Sequence, residues 1–167
     1  MSSPEPLPPP RDPGGPYRIC LVCLGNICRS PMAEAVLRAE VASSGAAIVV
    51  DSAGTGDWHL GEPMNTRALT QLTRRGYDGE SHRARQIDAS WLGKRDLFLA
   101  MDSSNLEDLR RMAADADDRI RLFGEVGGLG GVDIPDPYGG GAADFAKVLD
   151  MLEAAAPHIL AAVDGFF

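Results

Sequence analysis

A short, mostly apolar run with Ile19 and Val22, residues 17–24, stops at Gly25-Asn26, and Ser30-Pro31 then opens a helical pattern. This passage from strand through tight loop to helix constrains the fold more than any other feature of the chain. A short apolar run bounded by breakers reads as a buried strand. Ser30 or Arg29 at the cap, Pro31 in the first turn and Glu34 close behind read as a helix start. Met32, Ala35, Val36 and Ala39 give that helix an apolar face, and Gly45 ends it. The alternation continues. Strands are expected at residues 46–50, 97–101 and 119–123. Helices are expected at 65–75, stopped by Gly76, and at 103–113 behind an Asp102 or Ser103 cap. A short helix suits 88–94. A last helix runs from Ala142 to about Val163, where Pro157 should kink or divide it.

Strands alternating with helices build a parallel sheet with helices on both faces. The expectation is an α/β fold: one three-layer domain, with a four-stranded parallel sheet flanked by helices. Ligands in such folds sit beyond the carboxyl ends of the strands. That rule points at the loop after the first strand, residues 23–30.

With 167 residues, the chain suffices for one domain and is short for two. The division expected is a disordered proline-rich extension, residues 1–16, and a folded domain, residues 17–167. The extension holds seven prolines and no apolar periodicity, and it lacks the basic and apolar regions of a signal peptide. Its Pro6-x-x-Pro9 spacing leaves open a docking role for a polyproline segment. A net charge of −8 argues against nucleic acid held on a basic surface, yet permits one local phosphate pocket. No apolar run reaches the roughly 18 residues that span a bilayer, so no membrane partner and a cytoplasmic location are expected.

The three cysteines, Cys20, Cys23 and Cys28, lie within nine residues. That is a poor disulfide framework and fits a reducing compartment. Cys20-x-x-Cys23 hints at zinc, but no second ligand pair follows at useful spacing, so no metal is expected.

The loop Cys23-Leu24-Gly25-Asn26-Ile27-Cys28-Arg29-Ser30 carries the chemistry. A loop feeding a helix N-terminus turns successive N–H groups inward and makes a concave anion site. Gly25 and Asn26 tolerate left-handed backbone. Arg29 is a cation where the helix dipole disfavours one, so it wants an anion, and its planar fork matches two phosphate oxygens. A cysteine at the base of that cradle has its thiolate stabilised by these groups. Ser30 offers a hydroxyl to the sulfur or to the phosphate. The loop residues from Leu24 to Ser30 are therefore the expected phosphate binders, and Cys23 the nucleophile. The bland alternative for Cys23 is an inert buried thiol. Asp136-Pro137 by itself reads as a turn. Trp58 by itself reads equally as core or as a pocket wall, and His82 as a surface or satisfied core histidine.

The run Val22-Cys23-Leu24-Gly25-Asn26-Ile27-Cys28-Arg29-Ser30-Pro31 resembles the signature of low-molecular-weight protein tyrosine phosphatases. Further stretches resemble family landmarks in family order: Ser52-Ala53-Gly54-Thr55 with Asp57-Trp58, then His82-Arg83-Ala84-Arg85-Gln86, then Met101-Asp102-Ser103-Ser104-Asn105-Leu106, then Asp136-Pro137-Tyr138. The resemblance implies hydrolysis of phosphotyrosine through a cysteinyl-phosphate, without cofactor or metal. It implies tyrosine-phosphorylated proteins as partners, inorganic phosphate as product, and Asp136 as general acid and then base. It implies Trp58 and Tyr138 as pocket walls, and a loop-supporting network of Asn26, Ser52 and His82. It places Cys28 beside Cys23, where Cys28 is either a packing residue or a redox thiol that resolves oxidised Cys23. Asp102 and Asn105 read as a helix cap and its neighbour. Gly139 stands where many relatives carry a second tyrosine. An arsenate reductase would share the fold and loop but needs further cysteines, and none follows Cys28. A phosphopeptide-binding module without catalysis would have no need of Cys23, Arg29 and Asp136 together.

Overall fold

A computed structural model describes residues 5–113 and 117–167. Four strands, β1 (Tyr17–Cys23), β2 (Ile48–Gly54), β3 (Leu97–Ala100) and β4 (Ile120–Leu122), form one sheet in the order β2-β1-β3-β4, and every pairing is parallel. The chain leaves β1 toward β2 on one side and returns to β3 on the other. The carboxyl ends of β1 and β3 therefore face the crevice where the winding reverses, which is where open α/β sheets bind ligands.

Strand β1 shows why its run is apolar throughout. Tyr17, Ile19, Leu21 and Cys23 pack on one face with α1 (Arg29–Ser44) and α5 (Ala142–Asp164), while Cys20 and Val22 pack on the other with Phe98, Ala100, Leu109 and Ile120. A strand covered on both faces has no solvent side to keep polar. Helix α2 (Thr66–Arg74) begins as its sequence suggests: Asn65 Oδ1 accepts the amides of Arg67 and Ala68 at 2.9 and 3.3 Å. Helix α3 (Ser103–Met112) is capped by Asp102, and residues 88–94 supply a 3₁₀ turn at Ala89–Gly93.

Three elements differ from the sequence expectation. Strand β2 extends four residues past Val50, because pairing with β1 continues from Tyr17↔Ile48 to Cys23↔Gly54. Its polar residues find partners there: Arg95 Nη2 donates to Asp51 Oδ2 at 2.7 Å, and Ser52 is bonded at the site. Phe123 leaves the sheet and opens a four-residue helix, α4 (Phe123–Val126), with its ring fully buried. Pro157 does not divide α5, which stays helical over 23 residues. The proline lies on the exposed side, whereas Ala155, Ala156, Ile159 and Leu160 hold the helix to the core.

Of the extension expected to be disordered, residues 1–16, the structure describes residues 5–16; residues 1–4 lie outside the described residues. The segment has neither helix nor strand, as its prolines require, but it is fastened down. Pro8 is buried, and its carbonyl accepts from Tyr17 Oη at 3.0 Å. Further donors come from Arg119 and Arg121. The composition concealed this, because the two arginine donors lie more than 100 residues away in the chain.

Candidate active site

Asn26 is the one non-glycine residue among those described with positive φ, at 57°. Such a backbone persists where its surroundings over-determine it, and here every polar group of Asn26 is engaged. Its amide donates to Cys23 Sγ at 3.3 Å. Its Nδ2 donates to Ser30 Oγ at 2.8 Å and Ser52 Oγ at 2.9 Å. Its Oδ1 accepts the Arg85 amide at 2.9 Å, and its carbonyl meets His82 Nε2 at 2.6 Å. Gly54 lies against the back of the same loop: a Cβ there would stand 2.7 Å from the Leu24 carbonyl oxygen. Only glycine allows the sheet to approach this closely.

The loop curls around Cys23. Ser30 Oγ lies 2.9 Å from Cys23 Sγ. Because Asn26 Nδ2 already fills a lone pair of that hydroxyl, its proton is free to point at the sulfur. The helix that follows opens at Arg29 with no side-chain cap at Cys28, so no side chain competes for its first-turn amides. Arg29 is 3% exposed. Its Nη1 donates to Asp102 Oδ2 at 2.6 Å and to the Ile134 carbonyl at 3.0 Å, and its Nη2 stands 3.7 Å from Asp136 Oδ2.

These groups surround a cleft of about 170 Å³. Cys23, Cys28 and Arg29 line it from the loop, Trp58 and His59 from the segment after β2, and Asp136 and Tyr138 from the segment before α5. Asn26 and Ser30, expected among the phosphate binders, are fully buried behind the lining. Trp58 and Tyr138 are 68% and 61% exposed, which makes them walls and not core. The Trp58 ring lies directly over Gly56, where any Cβ would collide with it. Asp136 Oδ1 accepts the Tyr138 amide at 3.0 Å, so the aspartate forms the turn its sequence suggests while its other oxygen faces Arg29.

A family model described as low molecular weight phosphotyrosine protein phosphatase matches residues 18–165. The chain belongs to this family. A low-molecular-weight protein-tyrosine-phosphatase from Streptomyces coelicolor is 48% identical over 154 residues, covering 88% of this chain and 93% of that protein. The low-molecular-weight protein-tyrosine phosphatase A of Mycobacterium tuberculosis is 38% identical, with coverages of 86% and 90%. Among solved structures, YfkJ from Bacillus subtilis superposes with a TM-score of 0.85 at 35% identity, covering 91% of this chain and 97% of its own.

In this low-molecular-weight phosphatase, burial works against the charge on Arg29, but the Asp102 hydrogen bond and the charges of Cys23, Asp102 and Asp136 outweigh it, and its pKa is raised. Burial, with the charges of Cys23 and Asp136 behind it, pushes the Cys28 thiol up to about 12. Burial lowers the pKa of His82, so near neutrality its Nε2–H donates to the Asn26 carbonyl and the other ring nitrogen is bare. His82 reaches Ser52 only through Asn26. Cys20 is fully buried in the cluster on the other face of the sheet from Cys23, which removes the zinc pair suggested by their spacing.

Sequence reasoning gave Asp102 only a capping role. Its Oδ1 does accept the Asn105 amide at 2.8 Å, but its Oδ2 holds Arg29. Its place at the end of β3, at the winding reversal, was the available signal. The Arg85 amide and the Ile134 carbonyl were not foreseen, because backbone donors and acceptors carry no sequence signature.

Proposed function

We propose that this protein tyrosine phosphatase works through Cys23, Arg29 and Asp136. Cys23 Sγ attacks phosphorus and forms an S–P bond as the bond to the aryl oxygen breaks. Asp136 gives its proton to the departing phenolate. The resulting carboxylate then takes a proton from water, which attacks phosphorus, breaks the S–P bond and releases inorganic phosphate and the thiolate. Arg29 and the loop amides around residues 24–30 hold the phosphoryl oxygens through both steps. Trp58 and Tyr138 flank the substrate ring.

The observation that carries this reading is the position of Cys23 Sγ. It lies on the cleft floor within hydrogen-bond reach of the Asn26 amide and Ser30 Oγ, with an Arg29 fixed from behind by Asp102. The substrates in this reading are tyrosine-phosphorylated proteins, and three free thiols suit a reducing, cytoplasmic setting. Cys28 serves as a redox partner of Cys23. The test is Cys23→Ser. Turnover of an aryl phosphate should fall by at least about 10⁴-fold, since an unactivated hydroxyl is a far poorer nucleophile, while phosphate still binds. Retention of more than about a few per cent of activity would overturn the covalent route.

A further inference from the structure

The proline-rich segment lies at the amino ends of the strands, the opposite end of the sheet from the phosphate loop. It is held there by a set of donors. Arg121, 8% exposed, gives Nη1 to the Glu5 carbonyl at 3.2 Å and Nη2 to the Pro6 carbonyl at 2.9 Å. Tyr17 Oη donates to the Pro8 carbonyl at 3.0 Å, and Arg119 Nη1 to the Pro9 carbonyl at 2.9 Å. Leu7 packs against the main core. Tyr17 itself is fully buried and stacked on Phe166 with ring centroids 5.5 Å apart. Burial and the charge of Asp96 push its phenol pKa up, so the hydroxyl stays a donor.

The chemistry of the two sides matches. Proline has no N–H, so a proline-rich strand presents acceptors with hardly a donor among them. From Pro6 to Pro10 only Leu7 carries an amide proton. The surface opposite supplies two guanidinium groups and a phenol, all donors. An ordinary peptide would bury amide protons here against guanidinium groups, which cannot accept them, and each unpaired donor would weaken its binding. The segment's end is anchored separately: Asp96, 3% exposed, accepts the Arg11 amide on Oδ1 and the Arg18 amide on Oδ2, both at 2.7 Å. Residues 5–10 are thus one ligand-like unit on a fixed tether.

We propose that Tyr17, Arg119 and Arg121 form a binding site for a proline-rich peptide, filled in cis by residues 5–10 and able to take the same peptide in trans once vacated. The site is independent of the phosphatase chemistry. The test uses a full-length variant with glycine and serine in place of residues 5–10. Its Tm should fall by about 2 °C or more, the shift expected per kcal/mol at this size. Tethering supplies an effective concentration of order mM, so a free peptide of sequence Glu5–Pro10 is titrated to a comparable level. It should bind saturably and raise Tm, and Arg121→Ala in the same background should abolish both effects. Turnover of an aryl phosphate should stay within about twofold throughout, as expected of a change remote from the site. A variant as stable as the native chain, a peptide without effect, or equal binding after Arg121→Ala would each overturn the proposal. Should the glycine-serine variant fail to fold, Arg121→Ala in the otherwise native chain is read by the heteronuclear NOE of the Leu7 amide. A rigid Leu7 that becomes mobile in the variant supports the site; a Leu7 already mobile in the native chain, or unchanged in the variant, overturns it.

Discussion

Asp102 holds Arg29 with one carboxylate oxygen, at 2.6 Å, and the first turn of α3 with the other. The buried cation of the loop after β1 is therefore aimed by the residue that starts a different helix. Asp102→Asn keeps an acceptor for the cap but removes the charge that steadies the guanidinium. A hydrogen bond to a charged group is worth about 1.5–3 kcal/mol, so kcat/KM should fall by roughly 10- to 100-fold, with phosphate inhibition weakened in parallel. Arg29→Lys should do more harm, because an ammonium cannot span Asp102, the Ile134 carbonyl and a phosphate at once. Near-native kinetics in both variants would remove this pair from the site.

Asp136→Asn should slow esters of basic phenols more than esters of acidic ones. A proton donor matters most when the leaving group is a strong base, and its usual worth is about 10²–10⁴-fold. A series of substituted aryl phosphates measures this directly. Uniform slowing across the series would count against the acid role.

Cys28 is a thiol at neutral pH, since burial and then the charge of Cys23 push its pKa up to about 12. In the proposed redox role, peroxide would oxidise Cys23 to a sulfenic acid, and condensation of that acid with the Cys28 thiol would release water and leave a disulfide. Mild peroxide should inactivate the enzyme, dithiothreitol should restore it, and inorganic phosphate should slow the loss. Cys28→Ser should be inactivated as readily yet recover far less. Equal recovery, or peptide mapping that finds Cys20 joined to Cys23, would exclude Cys28 as the resolving thiol.

His82 links pH to stability. Burial lowers its pKa below the ordinary 6.5, against the opposing hydrogen bond to the Asn26 carbonyl. The unfolded chain therefore takes up this proton at a higher pH than the folded one. The contribution is complete above about pH 6.5 and declines as pH falls through that value. Urea unfolding at about pH 7.5 and about pH 5.5 should show a smaller loss for His82→Asn than for the native protein. Identical losses would mean that His82 titrates alike in both states.

The alternation of strands and helices and the loop from Cys23 to Ser30 were legible in the chain, because each rests on local chemistry, whereas Asp136 by itself read as a turn and gained a site role only through the family resemblance. Apolar runs, breakers and caps act over a few residues, and so does a helix N-terminus beside a glycine. Three relationships were not legible. Asp102 meets Arg29 across 73 residues, and the Arg85 amide meets Asn26 across 59. Arg121 reaches back 116 residues to Glu5, turning an apparently free proline-rich end into a seated one. A carboxylate that caps a helix looks the same in sequence whether or not an arginine lies on its other side. The parallel winding brought the ends of β1 and β3 together, and only that closeness gave Asp102 its second partner.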